Sequence, residues 1–503
     1  MESRSRMPTA HLQTIDWVVI FCYLGGITAL GILVSRRVRN TSAFFLGNRS
    51  FGKVLMIAQT LGTGTHSDQA VGVAGAAYTI GLAGIWYQWM WLFTTPFYWL
   101  LAPIYRRLRV VTISDFFELR FGRLYATVYA LFAIYLLALW QAIAIKGTTV
   151  TVSAITGITE WQIAVVVAAA FAAYGISGGL VAAATTDFVQ GFFIVFLSFL
   201  LLPFGMSKVG GFHGLHAQLP PGFFRVFSSS GGELAPFTVT MLVLSGLVGI
   251  TVQPHMMAVA SSGKTEWNCR VGWTFGNFVK RLCTIGWTLT GLLAAVLFPG
   301  LGHAGRERAF GIAVIYLLPA GLVGLMVASL LATVMATCSA FMVDGAALFT
   351  RNVYQPYIAP NRQDSHYLRV GRYASFAITL LGFVLGVTMP SVISATVHFV
   401  TILPFVGVAF WMGIMWPRAN RYGAWVSSIG SAVLFGACLA GGVPTPWASL
   451  YSLIFGFASI AVVSLATPKE PQDRLDRVFR CLETPVGEEA RLASLGLALE
   501  AQE

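Results

Sequence analysis

The sequence predicts an all-α integral membrane protein whose centre is two sets of five spans, each set opened by an interrupted helix. Three observations predict it. The chain of 503 residues is 56% apolar and only 10% charged, where a water-soluble globular domain carries roughly 25% charged residues. Long apolar runs recur from residue 13 to 466 with no soluble stretch between them. Two of those runs are broken at mid-depth by glycine and polar residues, which hydrocarbon tolerates only where the freed groups face protein or a cavity.

Thirteen candidate spans follow from the hydropathy: 14–35, 53–81, 83–105, 124–154, 160–177, 181–206, 236–260, 271–299, 319–349, 368–390, 393–416, 422–441 and 447–466. The first is long enough to cross a bilayer and is followed by arginines, so it is expected to stay as a helix rather than be cleaved as a signal. With the N-terminus outside, the alternate loops 35–53, 106–123, 263–270, 350–372 and 417–421 and the tail hold 23 of the 32 Lys and Arg. The opposite side holds six: Arg4, Arg6, Lys208, Arg225, Arg306 and Arg308. That asymmetry is the positive-inside signature. It places a multi-pass protein in the plasma (inner) membrane with a cytoplasmic C-terminus. It also accounts for the net charge of +12 without nucleic acid.

The second span carries Leu61-Gly62-Thr63-Gly64-Thr65-His66-Ser67-Asp68-Gln69. Two glycines make a poor helix interior, and each polar group at that depth needs a partner inside the protein. The economical reading is a helix that breaks and turns its carbonyls toward a cavity, as in discontinuous helices that hold cations and solutes. A polar helix–helix contact is the plainer alternative. In the third span, Trp86-Tyr87-Gln88-Trp89-Met90-Trp91 reads as an interfacial belt, except that Gln88 is a polar group at depth. Residues 112–122 read as a short amphipathic helix capped by Ser114. Ser177-Gly178-Gly179 is a tight turn. Asp187, about two turns into the sixth span, is an acid either paired structurally or lining a cation path, and the second is the default for intramembrane charge. Residues 207–235 form an outer loop rich in Gly and Pro.

The seventh span repeats the theme of the second, with Ser245-Gly246-Leu247-Val248-Gly249-Ile250-Thr251-Val252-Gln253-Pro254-His255. Matching interruptions in two halves that enter from opposite sides point to an inverted repeat. Lys280 and Arg281 sit two to three turns into the eighth span. Arg281 is expected to snorkel to the surface, and Lys280 either does the same or serves a site. In the ninth span Thr333 and Thr337 share one helix face; Asp344 lies further along. His398, in the eleventh, is either a buried structural histidine or a solute contact.

The regions are therefore 1–52, an extra N-terminal helix and cytoplasmic loop; 53–206, the first five-helix repeat; 207–235, an extracytoplasmic loop; 236–416, the second repeat; 417–466, two C-terminal helices; and 467–503, a cytoplasmic tail. The tail is solvated, or docks a partner through its Leu-rich end, Arg491–Leu499. The six cysteines are scattered with no CxxC, against a disulfide framework or zinc site. No metal cluster, nucleophile–base set or phosphate loop marks an enzyme.

The chain resembles the sodium:solute symporter family over almost its whole length, nearest to the sodium/sugar cotransporter branch. The similar stretches are Asp68-Gln69 with Gly72, Gly75 and Tyr78; Tyr87-Gln88-Trp89; Ile113 to Gly122; Ser177-Gly178-Gly179 with Thr186-Asp187 and Gln190; Ser207 to Gly211; Gln253-Pro254-His255; Leu318 to Gly324; and Phe349 to Tyr354. The resemblance implies a LeuT-type five-plus-five inverted repeat working by alternating access. It implies a sodium site at Gly62 and Thr65 with Thr333, Ala336 and Thr337, and a cation exit path at Asp187. The family places two adjacent hydroxyl residues where this chain has Ala336-Thr337. Thr333 or water replaces the missing oxygen, or the site is weak, proton-driven or defunct. The solute contacts implied are Gln69, Gln88, Trp91, Ser245 and Lys280, with His398 added as a candidate; Val248 stands where the sugar branch has an aromatic gate.

The function expected is sodium-coupled import of a small polar organic solute across a lipid bilayer, with Na+ as coupling ion, no nucleic acid and no obligatory protein partner. The alternatives are a proton-coupled or ion-independent transporter of the same fold, and a transporter-like membrane sensor.

Overall fold

The computed structural model describes residues 12–35, 49–110, 112–175, 179–229 and 233–494. Among these, all regular structure is helical, apart from a single parallel bridge between Phe51 and Gly263. The turn expected at Ser177-Gly178-Gly179 falls largely outside the described residues.

Helix α1 (Thr14–Ser35) precedes the first repeat. The expected break in the second span is present: α2 (Lys53–Gly64) and α3 (Ser67–Ile80) are separated by Thr65 and His66, both extended at φ −127° and −129°. The third expected span is not one helix. Gly81 at φ +72° ends α3, a conformation that only glycine adopts freely. Three short helical segments, Gly81–Ile85, Trp86–Trp89 and Thr95–Phe97, then lead into α4 (Tyr98–Leu108). The amphipathic helix α5 (Ile113–Phe121) is capped by Thr112, not Ser114. Thr112 and Asp115 form a reciprocal capping box, while Ser114 Oγ donates to the Ala126 carbonyl. Helices α6 (Arg123–Thr156), α7 (Glu160–Gly175) and α8 (Gly179–Val209) complete the set.

The second repeat opens with α9 (Pro236–Gly249) and α10 (Pro254–Ser261), bent by 60°. Gln253 precedes a proline, which disfavours the helical region for it, and it is extended at ψ 118°. Helices α11 (Glu266–Leu297), α12 (Leu322–Phe349), α13 (Asp364–Thr388), α14 (Val392–Ile402) and α15 (Pro404–Met415) follow, then the flanking pair α16 (Arg421–Ala440) and α17 (Thr445–Ala466). Ten helices among the described residues are long and apolar enough to span a bilayer, or eleven with the α9–α10 pair counted as one. Thirteen were expected; the region 83–105 is interrupted, and residues 160–169 form a shorter apolar helix.

The core sits around α3 and α12. The apolar window of α3 is 83% buried and that of α12 78%, against 17% for α1 and 28% for α13 and α16. The outer helices therefore turn Phe21, Leu33, Phe376 and Val433 outward, as a lipid-facing surface requires and water would penalise. The bridge at Phe51 ties the start of α2 to the end of α10: Phe51 N–H donates to the Ser262 carbonyl (3.2 Å) and Lys264 N–H to the Phe51 carbonyl (3.0 Å).

Beyond α17 the tail forms α18 (Gln472–Glu483) and α19 (Glu489–Ser494). It is held down by charge. Glu470 accepts from the Arg421 N–H (2.9 Å) and from its guanidinium at 3.0 Å through each carboxylate oxygen. Further along, Arg109 donates to the carbonyls of Thr484 and Pro485, and Arg107 to that of Leu482. Burial alone would raise the Glu470 carboxyl, but Arg421, with help from Arg474, outweighs it and holds the group below the usual range. A depressed carboxylate adds stability above its unfolded value of about 4.3, lost as pH falls through the folded value. The tail is therefore expected to stay docked at neutral pH and to loosen below about pH 4. Hydrogen exchange of residues 472–483 checks this; protection unchanged at pH 3 would exclude Glu470 as the anchor.

Candidate functional site

The break in the first repeat lies where two helices pack closely against it. Helix α11 reaches α2 through Gly276, where a Cβ would sit 2.7 Å from Thr60 Cβ and 2.8 Å from the Ile57 carbonyl oxygen. Helix α8 reaches the same turn through Asp187, which is 2% exposed and accepts from Thr63 Oγ1 at 2.8 Å. The carbonyls released by the break are taken up locally. Gly62 O accepts from Thr65 N–H (3.3 Å), Thr63 O from His66 Nε2 (2.8 Å), and Gly64 O from both Gln69 Nε2 (2.9 Å) and the Lys280 ammonium. A carbonyl only accepts, so His66 Nε2 carries a proton.

Two cavities flank this turn. The larger encloses about 470 Å³ including its mouth, within the range of small-molecule sites. Gln69, Gln88, Trp91 and Lys280 line it; Ser245 and His398 do not. Ser245 is wholly buried on α9 with its hydroxyl unpartnered. His398 is exposed, with Nε2 3.3 Å from Tyr135 Oη. Residues 396 and 399 of the same helix line the cavity, and at about 100° per residue 398 cannot share their face.

Arg281 does not snorkel. It is 4% exposed, and its Nη1 donates to the main-chain and side-chain oxygens of Gln88 at 3.3 and 3.2 Å. Along with Asp68, Gln253 and Asn277, it lines the cavity unforeseen from sequence. A signal was available: Asn277, Lys280, Arg281, Thr284 and Thr288 recur at helical spacing, a polar stripe on an otherwise apolar span. Asp344, half-buried, makes no ion pair among the described residues.

The second cavity is lined by Thr65, His66, Ser329 and Thr333 among others. Thr65 and Thr333 thus come together across α2 and α12. Thr65 Oγ1 and Thr337 Oγ1 are buried with no hydrogen-bond partner, and a buried hydroxyl without one is costly. Thr333 Oγ1 donates to the Ser329 and Leu330 carbonyls, leaving its lone pairs free. Ala336, 6% exposed, offers main-chain oxygen alone. Of the expected sodium-site residues, Thr65 and Thr333 line this cavity and Gly62, Ala336 and Thr337 do not. With Ser329 the two threonines bring hydroxyl oxygens to it, donors that suit a hard monovalent cation better than a soft metal.

Known proteins match most of this chain. The model of the sodium:solute symporter family matches residues 44–430. The sodium/glucose cotransporter of Vibrio parahaemolyticus is 25% identical, with 92% of each chain covered. The sodium/proline symporter of Haemophilus influenzae is 25% identical, with 90% of this chain and 95% of the relative covered. A solved structure of a Na+-coupled sialic acid symporter, substrate-bound and outward-open, superposes with a TM-score of 0.78 at 18% identity, covering 91% of this chain and 98% of that one.

Proposed function

The chain belongs to the sodium:solute symporter family, a family of transporters rather than enzymes, and from that premise we propose how it works. It is a secondary active transporter that couples entry of a small polar organic solute to sodium by alternating access. The solute occupies the cavity beside the break, held by Gln69, Gln88, Trp91 and Lys280. Sodium occupies the oxygens of Gly62, Thr65, Thr333, Ala336 and Thr337, and leaves past Asp187. Ser245 and His398 take no direct part. The observation that carries the ion assignment is the pair of buried, unpartnered hydroxyls of Thr65 and Thr337. A cation between them satisfies both, and the Thr65 hydroxyl supplies an oxygen that Ala336 lacks.

Each sodium entering down the membrane potential contributes about 2.3 kcal/mol per 100 mV. The N-terminus lies outside and the tail inside, in a plasma membrane, as the distribution of Lys and Arg favours. Reconstituted uptake driven by sodium, by potassium and by a proton gradient tests the scheme. Uptake that ignores sodium and follows protons would overturn the ion assignment. Thr337→Val keeps the shape and removes one oxygen. It is expected to raise the sodium concentration for half-maximal uptake about tenfold, the equivalent of about 1.4 kcal/mol, with little loss of stability because the hydroxyl has no partner to lose. An unchanged sodium response would remove Thr337 from the site.

A further inference from the structure

The walls of the larger cavity carry unbalanced charge. Lys280 and Arg281, neighbours on α11, are 7% and 4% exposed, and both line it. Asp68 is the one acid among the lining residues; it attracts Lys280 from beyond contact distance, and its Oδ1 lies 3.4 Å from His66 Nδ1. Among the described residues neither cation is in an ion pair: Lys280 donates to the Gly64 carbonyl, Arg281 to Gln88, and Arg281 Nε has no partner. A buried cation without a counter-charge is strongly disfavoured, and more so at membrane depth.

We propose that the solute brings the missing charge: the protein carries a small organic acid whose single carboxylate seats between Lys280 and Arg281. This rests on the reading that the cavity is the solute site. Two cations against one acid leave one positive charge in excess, which a monocarboxylate neutralises and a phosphate dianion overshoots. The rest of the solute is hydroxylated or amide-bearing. Both ends of the Gln253 amide and the Gln69 Oε1 are buried and unpartnered, so donors and acceptors await it, while Trp140, Ile143 and Phe399 give one apolar wall.

The same geometry links solute to ion. The Lys280 ammonium rests on the Gly64 carbonyl, one residue before Thr65. A carboxylate that draws the ammonium toward itself frees that carbonyl and adds negative charge beside the break. Both effects favour a bound cation, and by linkage the cation favours the acid equally.

The test compares each acid with a neutral partner of nearly the same shape: lactate with lactamide, gluconate with glucose, pantothenate with pantothenol, and N-acetylneuraminate with its methyl ester. Binding to the purified full-length protein is followed by thermal shift in sodium and in potassium. At least one acid is expected to bind about tenfold or more tightly than its partner, the scale of a charge-assisted hydrogen bond. The preference should disappear in Lys280→Met and in Arg281→Gln and survive in Lys280→Arg. The wild-type comparison needs no variant, so a misfolded mutant leaves the test intact. Neutral partners binding as tightly as the acids, or no acid binding at all, would overturn the proposal. An acid that binds with the same affinity in sodium and in potassium would uphold the carboxylate seat and overturn its linkage to sodium.

Discussion

Replacing Gly62 with alanine is expected to abolish sodium-driven uptake while leaving a folded protein. A Cβ at residue 62 would lie 2.6 Å from Asp187 Cβ and 2.8 Å from its Oδ1, far inside the ordinary carbon contact of about 3.5–4.0 Å. Either α2 moves off α8 by about 1 Å, or the carboxylate swings away and drops its bond from Thr63 Oγ1. Displacing a binding constellation by about 1 Å costs on the order of a hundredfold in function. The measurement is stabilisation by sodium over potassium, together with uptake of radiolabelled sodium. A Gly62→Ala protein that binds sodium like the wild type would show that α2 and α8 do not meet there.

Asp16→Ala is expected to have the largest effect on stability. This buried acid reaches from α1 to the opposite half of the sequence, where its Oδ1 accepts from Gly321 N–H (2.7 Å) and Gly324 N–H (2.8 Å) at the start of α12, and its Oδ2 from Gln13 N–H (2.9 Å). A helix N-terminus leaves its first amide groups without partners, and its dipole favours a carboxylate there. Removing the acid strands two of those groups in the interior at about 1–3 kcal/mol each. An apparent melting temperature lower by on the order of 5 °C is expected, with a smaller fall for Asp16→Asn, which keeps one acceptor. A melting curve for Asp16→Ala superimposable on wild type would remove the acid from this role.

Asp16 also marks where reading the sequence stops. Hydropathy tells which groups are costly in a membrane, and so both broken helices were legible from Gly62 to Gln69 and from Ser245 to His255. It does not tell which group answers which. Asp16 and Gly321 are 305 positions apart, and no local pattern joins them. Arg281 read as a snorkelling side chain because the rule weighs depth alone, whereas in the fold the Gln88 carbonyl supplies what water would have. His398 is the converse. A polar residue in an apolar run suggested a buried structural histidine or a solute contact, but His398 is exposed and its neighbours Thr396 and Phe399 own the inward face. The cap of α5 was displaced by two residues, from Ser114 to Thr112, since both hydroxyls stand near Asp115 and only backbone geometry selects between them.

The parallel bridge at Phe51 bears on how the molecule can move. Besides the two main-chain bonds, Ser262 Oγ donates to Gln59 Oε1 (3.2 Å), so α2 and α10, one half of each discontinuous helix, are yoked together. Neither can swing as an independent flap; the stroke that empties the cavity on that side must carry both half-helices together.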